Sequence, residues 1–199
     1  MIMKKNIIVV GGGGHGKVII DAIRQEGLFT IKGIVDPALE KGSQILGVKV
    51  LGGDEILEKL YSSGIRYAFI GTGTIGHYAI KHRIDEKLRK FKFTLPVVCH
   101  PSSVIADDAV IGEGSFLAAG TVINPGVVIG KNVIVNTRAS IDHDCCIGDY
   151  THISPGATLC GNVTVGREVH IGAGSTVVQN MKIKDKVFVK AGSLVIKNI

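Results

Sequence analysis

Residues 105–130 read IADDAVIGEGSFLAAGTVINPGVVIG, and an aliphatic residue recurs at every sixth position of this stretch. The same period continues without interruption almost to the last residue of the chain. The sixteen positions that share it are Ile105, Ile111, Leu117, Ile123, Ile129, Val135, Ile141, Ile147, Ile153, Leu159, Val165, Ile171, Val177, Ile183, Val189 and Val195. Because only 45% of the chain is apolar, chance does not account for such a series. The sequence therefore predicts an array of six-residue units, each burying one aliphatic side chain.

The composition fits a repeat that packs backbone closely. The chain of 199 residues has 27 glycines but only six Phe, four Tyr and no Trp. Small residues recur four positions after the periodic aliphatic residue, at Ala109, Ser115, Thr121, Ala139, Cys145, Thr151, Ala157, Ser175 and Ser193. We therefore expect residues 99–199 to form an all-β domain with a thin aliphatic core, which has little room for rings.

Residues 1–98 have a different pattern, in which short apolar runs alternate with amphipathic segments. The predicted strands are 6–10, 31–35, 67–70 and 93–98, and the predicted helices are 17–25, 54–62 and 75–90. Alternating strands and helices favour a parallel sheet with helices packed on it. The expected fold is thus α/β plus all-β: a small Rossmann-like βαβ domain over 1–98, followed by the repeat domain over 99–199.

A glycine-rich turn follows the first predicted strand. Residues 11–16 read GGGGHG and contain the spacing G-x-G-x-x-G, and Asp36 stands 20 residues beyond the last of these glycines. Such a turn directs backbone N–H groups and a helix N-terminus at a phosphate, while the acid accepts hydrogen bonds from a ribose. His15 in the turn favours a ligand there. A nucleotide-diphosphate sugar is the preferred interpretation, because an NAD-type dinucleotide needs two mononucleotide-binding halves; a purely structural turn remains an alternative.

The charge of the chain is unevenly distributed. The net charge is +6, and residues 1–98 carry all of the excess, with 15 basic against 9 acidic side chains, whereas 99–199 carry 8 of each. This favours an anionic small ligand in the first domain. The basic residues of 81–92 are expected to form the solvated face of one helix. Nucleic acid is disfavoured because no aromatic-rich basic motif accompanies the charge.

The cysteines and the apolar runs indicate the compartment. Cys99, Cys145, Cys146 and Cys160 lack C-x-x-C spacing, so free thiols in a reducing cytoplasm are expected. No run approaches the roughly 20 apolar residues that a membrane span requires, and the first residues lack the features of an export signal. We expect a cytoplasmic protein that binds no membrane.

Residues 136–154 read NTRASIDHDCCIGDYTHIS. Together with the glycine turn and the unbroken six-residue period, this segment resembles the bacterial hexapeptide-repeat sugar acetyltransferases. These form the sialic acid O-acetyltransferase family, which includes N-acetyltransferases for nucleotide-linked 4-amino sugars. The resemblance covers nearly the whole chain. It implies a left-handed parallel β-helix, in which three hexads make one coil and residues 18 apart stack, and a homotrimer with active sites between subunits.

The resemblance also implies roles for individual residues. His143 matches the general base, and Asp144 matches the acid that raises its basicity, although the family often has the longer Glu there. The matched or candidate acetyl-CoA contacts are His152, Gly161, Ala173 and Ala191. The residues that match positions around the nucleotide sugar are Gly14, His15, Gly16, Asp36 and Gly71.

The chemistry of these residue types agrees with those roles. A thioester is already a reactive acyl donor, so the enzyme needs mainly to place an amine against it and to remove a proton. A histidine that titrates near neutrality is a suitable base, and a neighbouring carboxylate fixes its tautomer. An N–H group, with Gly161 the candidate, would stabilise the oxyanion. Cys145 occupies a small inward position and is expected to be a core residue, and no metal is expected.

Stacking at 18 residues predicts specific neighbours. His143 should lie against Gly161, where the bare backbone leaves room for substrate. Asp149 should pair with Arg167 at the surface. His152 should stack with His170, either as an acetyl-CoA contact or as a surface pair without a function. Asp142 is expected to be solvated.

The sequence therefore predicts an acetyl-CoA-dependent N-acetyltransferase that acts on a nucleotide-diphosphate amino sugar in glycan or polysaccharide synthesis. O-acetylation of a sugar such as sialic acid is the alternative. A zinc lyase of the carbonic anhydrase-like β-helix group, using His143, His152 and His170, and a non-catalytic nucleotide-sugar binder are lesser alternatives.

Overall fold

The computed structural model describes residues 4–75 and 78–199. The chain forms two compact units, residues 1–96 and 97–199. Within the described residues, none of the helices reaches the length and hydrophobicity that crossing a bilayer requires.

The first unit is an α/β sheet of five strands. The strands are β1 (Lys5–Val10), β2 (Phe29–Val35), β3 (Gln44–Ile45), β4 (Val48–Gly52) and β5 (Tyr67–Ile70). The helices are α1 (Gly14–Glu26), α2 (Leu57–Ser62), preceded by a 3₁₀ turn (Asp54–Ile56), and α3 (Ala79–Lys90). The strand order is β3-β4-β2-β1-β5, with all pairs parallel except β3 with β4. The predicted Rossmann-like arrangement is confirmed.

Three details of this unit differ from the sequence predictions. No strand forms over 93–97, where Thr94 makes only an isolated bridge to Tyr67; Val98 begins a two-residue strand of the second unit. Phe93 and Leu95 are nevertheless buried, because side chains can fill the core without strand pairing. Pro96 has no N–H and could not continue the hydrogen bonds of a strand. Neither β3 nor β4 was predicted. The third helix begins at Ala79 and not at residue 75 as predicted; of the predicted first turn, residues 76–77 lie outside the described part.

The prediction of a solvated basic face on α3 is wrong at Lys81. Arg83 and Lys90 are exposed, but Lys81 is only 2% exposed. Burial lowers the pKa of Lys81 to about 7, and the charge of Asp85 one turn later opposes this shift. A lysine in such a place faces the protein interior, which a count of charges along a helix cannot reveal.

The second unit is a three-sided coil of two-residue strands. They are β6 (Val98–Cys99), β7 (Val104–Ile105), β8 (Val110–Ile111), β9 (Phe116–Leu117), β10 (Val122–Ile123), β11 (Val128–Ile129), β12 (Ile134–Val135), β13 (Ser140–Ile141), β14 (Cys146–Ile147), β15 (His152–Ile153), β16 (Thr158–Leu159), β17 (Thr164–Val165), β18 (His170–Ile171), β19 (Thr176–Val177), β20 (Lys182–Ile183), β21 (Phe188–Val189) and β22 (Leu194–Val195). Every third strand joins the same flat parallel sheet, and three such sheets result.

The stacking period of 18 residues is confirmed by the strand registers. Ile123 pairs with Ile141, and Ile141 pairs with Leu159, so the periodic aliphatic side chains form one continuous buried core. This is a parallel β-helix, as the resemblance to the hexapeptide-repeat family implies.

The corners of the coil share a left-handed backbone conformation, which the pattern of aliphatic residues does not predict. From Gly114 onward, every sixth residue has positive φ: Gly114, Gly120, Gly126, Asn132, Arg138, Asp144, Tyr150, Gly156, Asn162, Glu168, Gly174, Asn180, Lys186 and Gly192. Glycine, Asn and Asp tolerate this left-handed conformation best and occupy ten of these fourteen corners. Asp144 therefore lies at a corner whose geometry the repeat dictates.

Candidate active site

The glycine turn between β1 and α1 opens onto a cavity of about 500 Å³ in the first unit. Helix α1 begins at Gly14, and its N-cap, Gly13, has no side chain that could satisfy the first N–H groups of the helix. These groups and the positive end of the helix dipole favour an anion. Of the predicted substrate residues, four line the cavity: Gly14, His15, Asp36 and Gly71.

Gly16 does not line the cavity; it allows close packing of the backbone instead. A Cβ at Gly16 would collide with the carbonyl oxygen of Gly11, and so would a Cβ at Gly71. The two glycines thus let α1 and the end of β5 approach the turn closely. The prediction that Gly16 touches substrate has no support from its position, whereas Gly71 combines close packing with exposure to the cavity.

The carboxylate of Asp36 supports the turn that surrounds the cavity. Its Oδ2 accepts the backbone N–H of Gly12 at 2.8 Å, and its Oδ1 accepts that of Ala38 at 2.9 Å. Each oxygen keeps a further lone pair for a ligand. The cavity also includes Thr72 and the buried Lys81, which the sequence analysis did not select.

In the second unit, His143 and Asp144 follow strand β13. The Nδ1 of His143 and the Oδ2 of Asp144 are 2.8 Å apart, and both side chains are more than half exposed. The hydrogen bond to Asp144, helped by the charge of Asp142, raises the pKa of His143. With Nδ1 held by the carboxylate, Nε2 is the nitrogen that remains to accept a proton.

The imidazole of His143 lies directly over Gly161, in the next coil. A Cβ at Gly161 would be 2.5 Å from both Cε1 and Nε2 of the ring. The N–H of Asn162 donates to the carbonyl of His143 at 2.9 Å, which ties the two turns together. The predicted stacking of His143 on Gly161 is confirmed.

Asp144 is fixed by the turn of the preceding coil. Its N–H donates to the carbonyl of Pro125 at 3.0 Å, and its carboxylate occupies the space beside Gly126, where a Cβ would be 2.6 Å from Oδ1. The shorter side chain of Asp thus reaches Nδ1 of His143 without a methylene that Glu would add.

His152 and His170 stack as predicted, but they do not form a surface pair. Each is only 7% exposed, and their ring centroids are 5.1 Å apart in an edge-to-face arrangement. Burial lowers the pKa of His170, whose ring also stacks on Phe188 at 4.6 Å. The side chain of Asn136, which the sequence analysis did not select, lies 3.1 Å from Nε2 of His152.

The remaining predicted positions are less specialised. Ala173 and Ala191 are exposed and lie one coil apart. Cys145 is fully buried, its Sγ–H donates to the carbonyl of Cys160 at 3.2 Å, and burial raises its pKa to about 11. Such a thiol is a poor nucleophile. Among residues 4–75 and 78–199, no group of three His, Cys, Asp or Glu side chains is arranged to hold a metal ion.

Comparison with known proteins matches both units. Residues 6–88 match the PglD N-terminal domain, and residues 126–161 and 147–179 match the bacterial transferase hexapeptide (six repeats). A solved structure of PerB from Caulobacter crescentus, in complex with CoA and GDP-perosamine, is 34% identical. It covers 100% of this chain and 92% of its own, with a TM-score of 0.90.

Two further acetyltransferases are similar to this chain. The acetyltransferase domain of PglB from Neisseria gonorrhoeae, solved with acetyl coenzyme A, is 33% identical over 99% of this chain and 93% of its own, with a TM-score of 0.88. The GDP-perosamine N-acetyltransferase of Escherichia coli O157:H7 is 26% identical over 160 residues, which is 78% of this chain and 70% of that protein. The likeness extends through the whole coil and supports its left-handed sense. The chain therefore belongs to the bacterial hexapeptide-repeat sugar acetyltransferases, the family that includes the N-acetyltransferases of nucleotide-linked amino sugars.

Proposed function

We propose that the protein transfers the acetyl group of acetyl-CoA to the amine of a nucleotide-diphosphate amino sugar. One observation carries this proposal above the others: His143 is held by Asp144 through Nδ1 while its Nε2 stands over the bare backbone of Gly161. That arrangement presents an exposed base whose Nε2 is not held by Asp144, and acyl transfer to an amine requires such a base.

The reaction needs few protein groups. The amine nitrogen attacks the thioester carbonyl carbon, and His143 Nε2 takes the proton that the nitrogen loses as the C–N bond forms. The carboxylate of Asp144 stabilises the resulting imidazolium. The C–S bond then breaks, and the CoA sulfur leaves with a proton returned from the imidazolium. The N–H of Gly161 is the proposed donor to the oxyanion.

Residues 1–98 are proposed to hold the nucleotide sugar. The uncapped start of α1 at Gly14 suits the diphosphate, and His15 adds a donor beside it. Asp36 is proposed to accept a ribose hydroxyl or a base N–H with its free lone pairs. The solved relative PerB, whose structure contains CoA and GDP-perosamine, supports this class of substrate.

Acetyl-CoA is proposed to bind along the coil, where His152, Gly161, Ala173 and Ala191 contact it. The buried ring of His152 is fixed by the side chain of Asn136, which lies 3.1 Å from its Nε2. The likeness to the PglB domain solved with acetyl coenzyme A supports acetyl-CoA as the acetyl donor.

The wider setting is likewise a proposal. We infer a homotrimer with active sites between subunits, in the cytoplasm, serving polysaccharide or glycan synthesis. Exposed aliphatic residues on the flat faces of the coil, such as Val104 and Val110, fit burial in an assembly, since they are 63% and 59% exposed in the single chain.

A substrate panel tests the proposal. Purified protein is incubated with acetyl-CoA and with GDP-, UDP- or dTDP-linked 4-amino sugars, the matching 4-hydroxy sugars, or free sialic acid. CoA release and product mass are followed. Acetylation of an amino-sugar nucleotide, with the hydroxy counterparts unreactive, supports the proposal. Acetylation of sialic acid alone points to the O-acetyltransferase alternative, and binding without turnover points to the non-catalytic one.

A further inference from the structure

Asn124 and Asp142 form a pair one coil apart, and Asp142 begins the catalytic turn, residues 142–144, which carries His143. Asn124 follows β10 and Asp142 follows β13, and the register Ile123 with Ile141 places them at the same corner. The Nδ2 of Asn124 donates to Oδ1 of Asp142 at 2.8 Å, and both residues are half-buried.

The same carboxylate oxygen has a second task. Oδ1 of Asp142 also accepts the backbone N–H of His143 at 2.9 Å. These two hydrogen bonds, the one from His143 first, lower the pKa of Asp142 and keep it ionised. A fixed negative charge therefore stands at the start of the turn that carries the base, where it adds to the rise in the pKa of His143.

The turn at 124–126 supports Asp142 and Asp144, the residues on either side of His143 in the next coil. The carbonyl of Pro125 accepts the N–H of Asp144, and Gly126 leaves the space for the carboxylate of Asp144. Those two contacts depend on main chain and on shape. Asn124 supplies the one polar side chain of the turn, and the following proline restricts its backbone to extended conformations.

We propose that Asn124 is a positioning residue for acetyl transfer, which holds Asp142 against the N–H of His143 and thereby fixes the direction of the imidazole. The inference rests on the proposed function and deepens it. Asn124 acts through Asp142, so its loss changes how well His143 is aimed and how readily it accepts a proton, without removing a contact to acetyl-CoA.

The competing explanation is that the hydrogen bond between Asn124 and Asp142 only stabilises the packing of two adjacent coils. Lys131 and Glu113 form a contact of this structural kind: their Nζ and Oε1 are 2.9 Å apart across the same 18-residue step, and both side chains are exposed. Pairs of this kind contribute little to stability. Lys131→Met is therefore the matched control, because it breaks a coil-to-coil side-chain contact that lies outside the catalytic turn.

The test compares Asn124→Ala, Asn124→Asp, Lys131→Met and the parent by kcat, KM for both substrates, the pH dependence of kcat and the melting temperature. Asn124→Asp keeps the shape but replaces the donor with a second carboxylate. We expect both Asn124 variants to lose about tenfold in kcat, with KM for acetyl-CoA within about twofold, because a small misplacement of a reacting group is costly. The acidic limb of Asn124→Ala should move to lower pH, since a released Asp142 supports the imidazolium less.

Unchanged kcat and an unchanged acidic limb in both Asn124 variants would overturn the proposal, as would losses that Lys131→Met reproduces. A variant His143→Ala separates this from the proposed function. If it retains full acetyl transfer, the base assignment itself fails; if it is inactive while Asn124→Ala matches the parent, only the role of Asn124 fails.

Discussion

A single added methyl group at Gly161 tests the geometry of the base. In Gly161→Ala, the new Cβ would be 2.5 Å from Cε1 and Nε2 of His143 and 3.2 Å from Cδ2. An ordinary carbon contact is about 3.5 Å, so the ring must move by roughly 1 Å. Gly161 does not have positive φ, so alanine is not strained there by its backbone. The ring is more than half exposed and can move outward.

That displacement should be costly for catalysis and cheap for folding. A misplacement of about 1 Å lowers rates on the order of 100-fold, so we expect kcat to fall by about that factor while the melting temperature changes by a few degrees or less. Gly156→Ala is the opposite control: its φ is +65° and nothing lies within 4 Å of the new Cβ, so it should lose stability and keep kcat. Steady-state CoA release and thermal melts measure both. A Gly161→Ala enzyme with the parent kcat would refute the placement of Nε2 over this glycine.

Three other perturbations have definite signs. Because the hydrogen bond that His143 donates to Asp144 is the largest cause of the raised pKa of His143, the parent should lose activity as pH falls through a value above the ordinary 6.5; Asp144→Asn should move this limb of the kcat profile to lower pH, and an unmoved limb would contradict the assignment. Lys81 has a folded-state pKa of about 7 against 10.5, so the unfolded chain binds the proton more tightly and the stability of the parent should rise by roughly 3 kcal/mol from pH 7 to pH 10; Lys81→Met should lack this rise in urea melts, and an equal rise in both proteins would contradict the buried, shifted lysine. Asp36→Ala removes the acceptor that holds Gly12, so KM for the nucleotide sugar should rise about tenfold while KM for acetyl-CoA stays constant in initial-rate assays; equal changes in both would argue against a nucleotide site there.

The sequence was most informative where one interaction repeats. The six-residue period predicted the buried aliphatic core, because every unit buries its side chain in the same way. The coil of three units, and with it the stacking of His143 on Gly161 at 18 residues, followed from the resemblance to the hexapeptide-repeat family. The α/β unit was predicted in kind but not in detail, since the formation of β4 and the absence of a strand over 93–97 depend on packing against distant residues.

The residues that support the catalytic side chains were not predicted from the sequence, for a different reason. Asn124 and Asn136 are single polar residues in turns, and a turn asparagine is common without any task. The 18-residue rule could have found Asn124, because it lies under Asp142 as Gly161 lies over His143. Lys81 could not have been found this way, since its burial depends on the fold around α3 and not on its neighbours in sequence.

The central claim is that His143 removes the proton from the amine of a nucleotide-linked amino sugar as acetyl is transferred. Its most direct test is the steady-state rate of His143→Asn with the preferred amino-sugar nucleotide and acetyl-CoA, with the acetylated product identified by mass spectrometry. The account predicts a loss in kcat on the order of 1,000-fold, with both KM values close to those of the parent, because the imidazole serves chemistry and not binding. A variant that acetylates the same amine within about fivefold of the parent rate would contradict it.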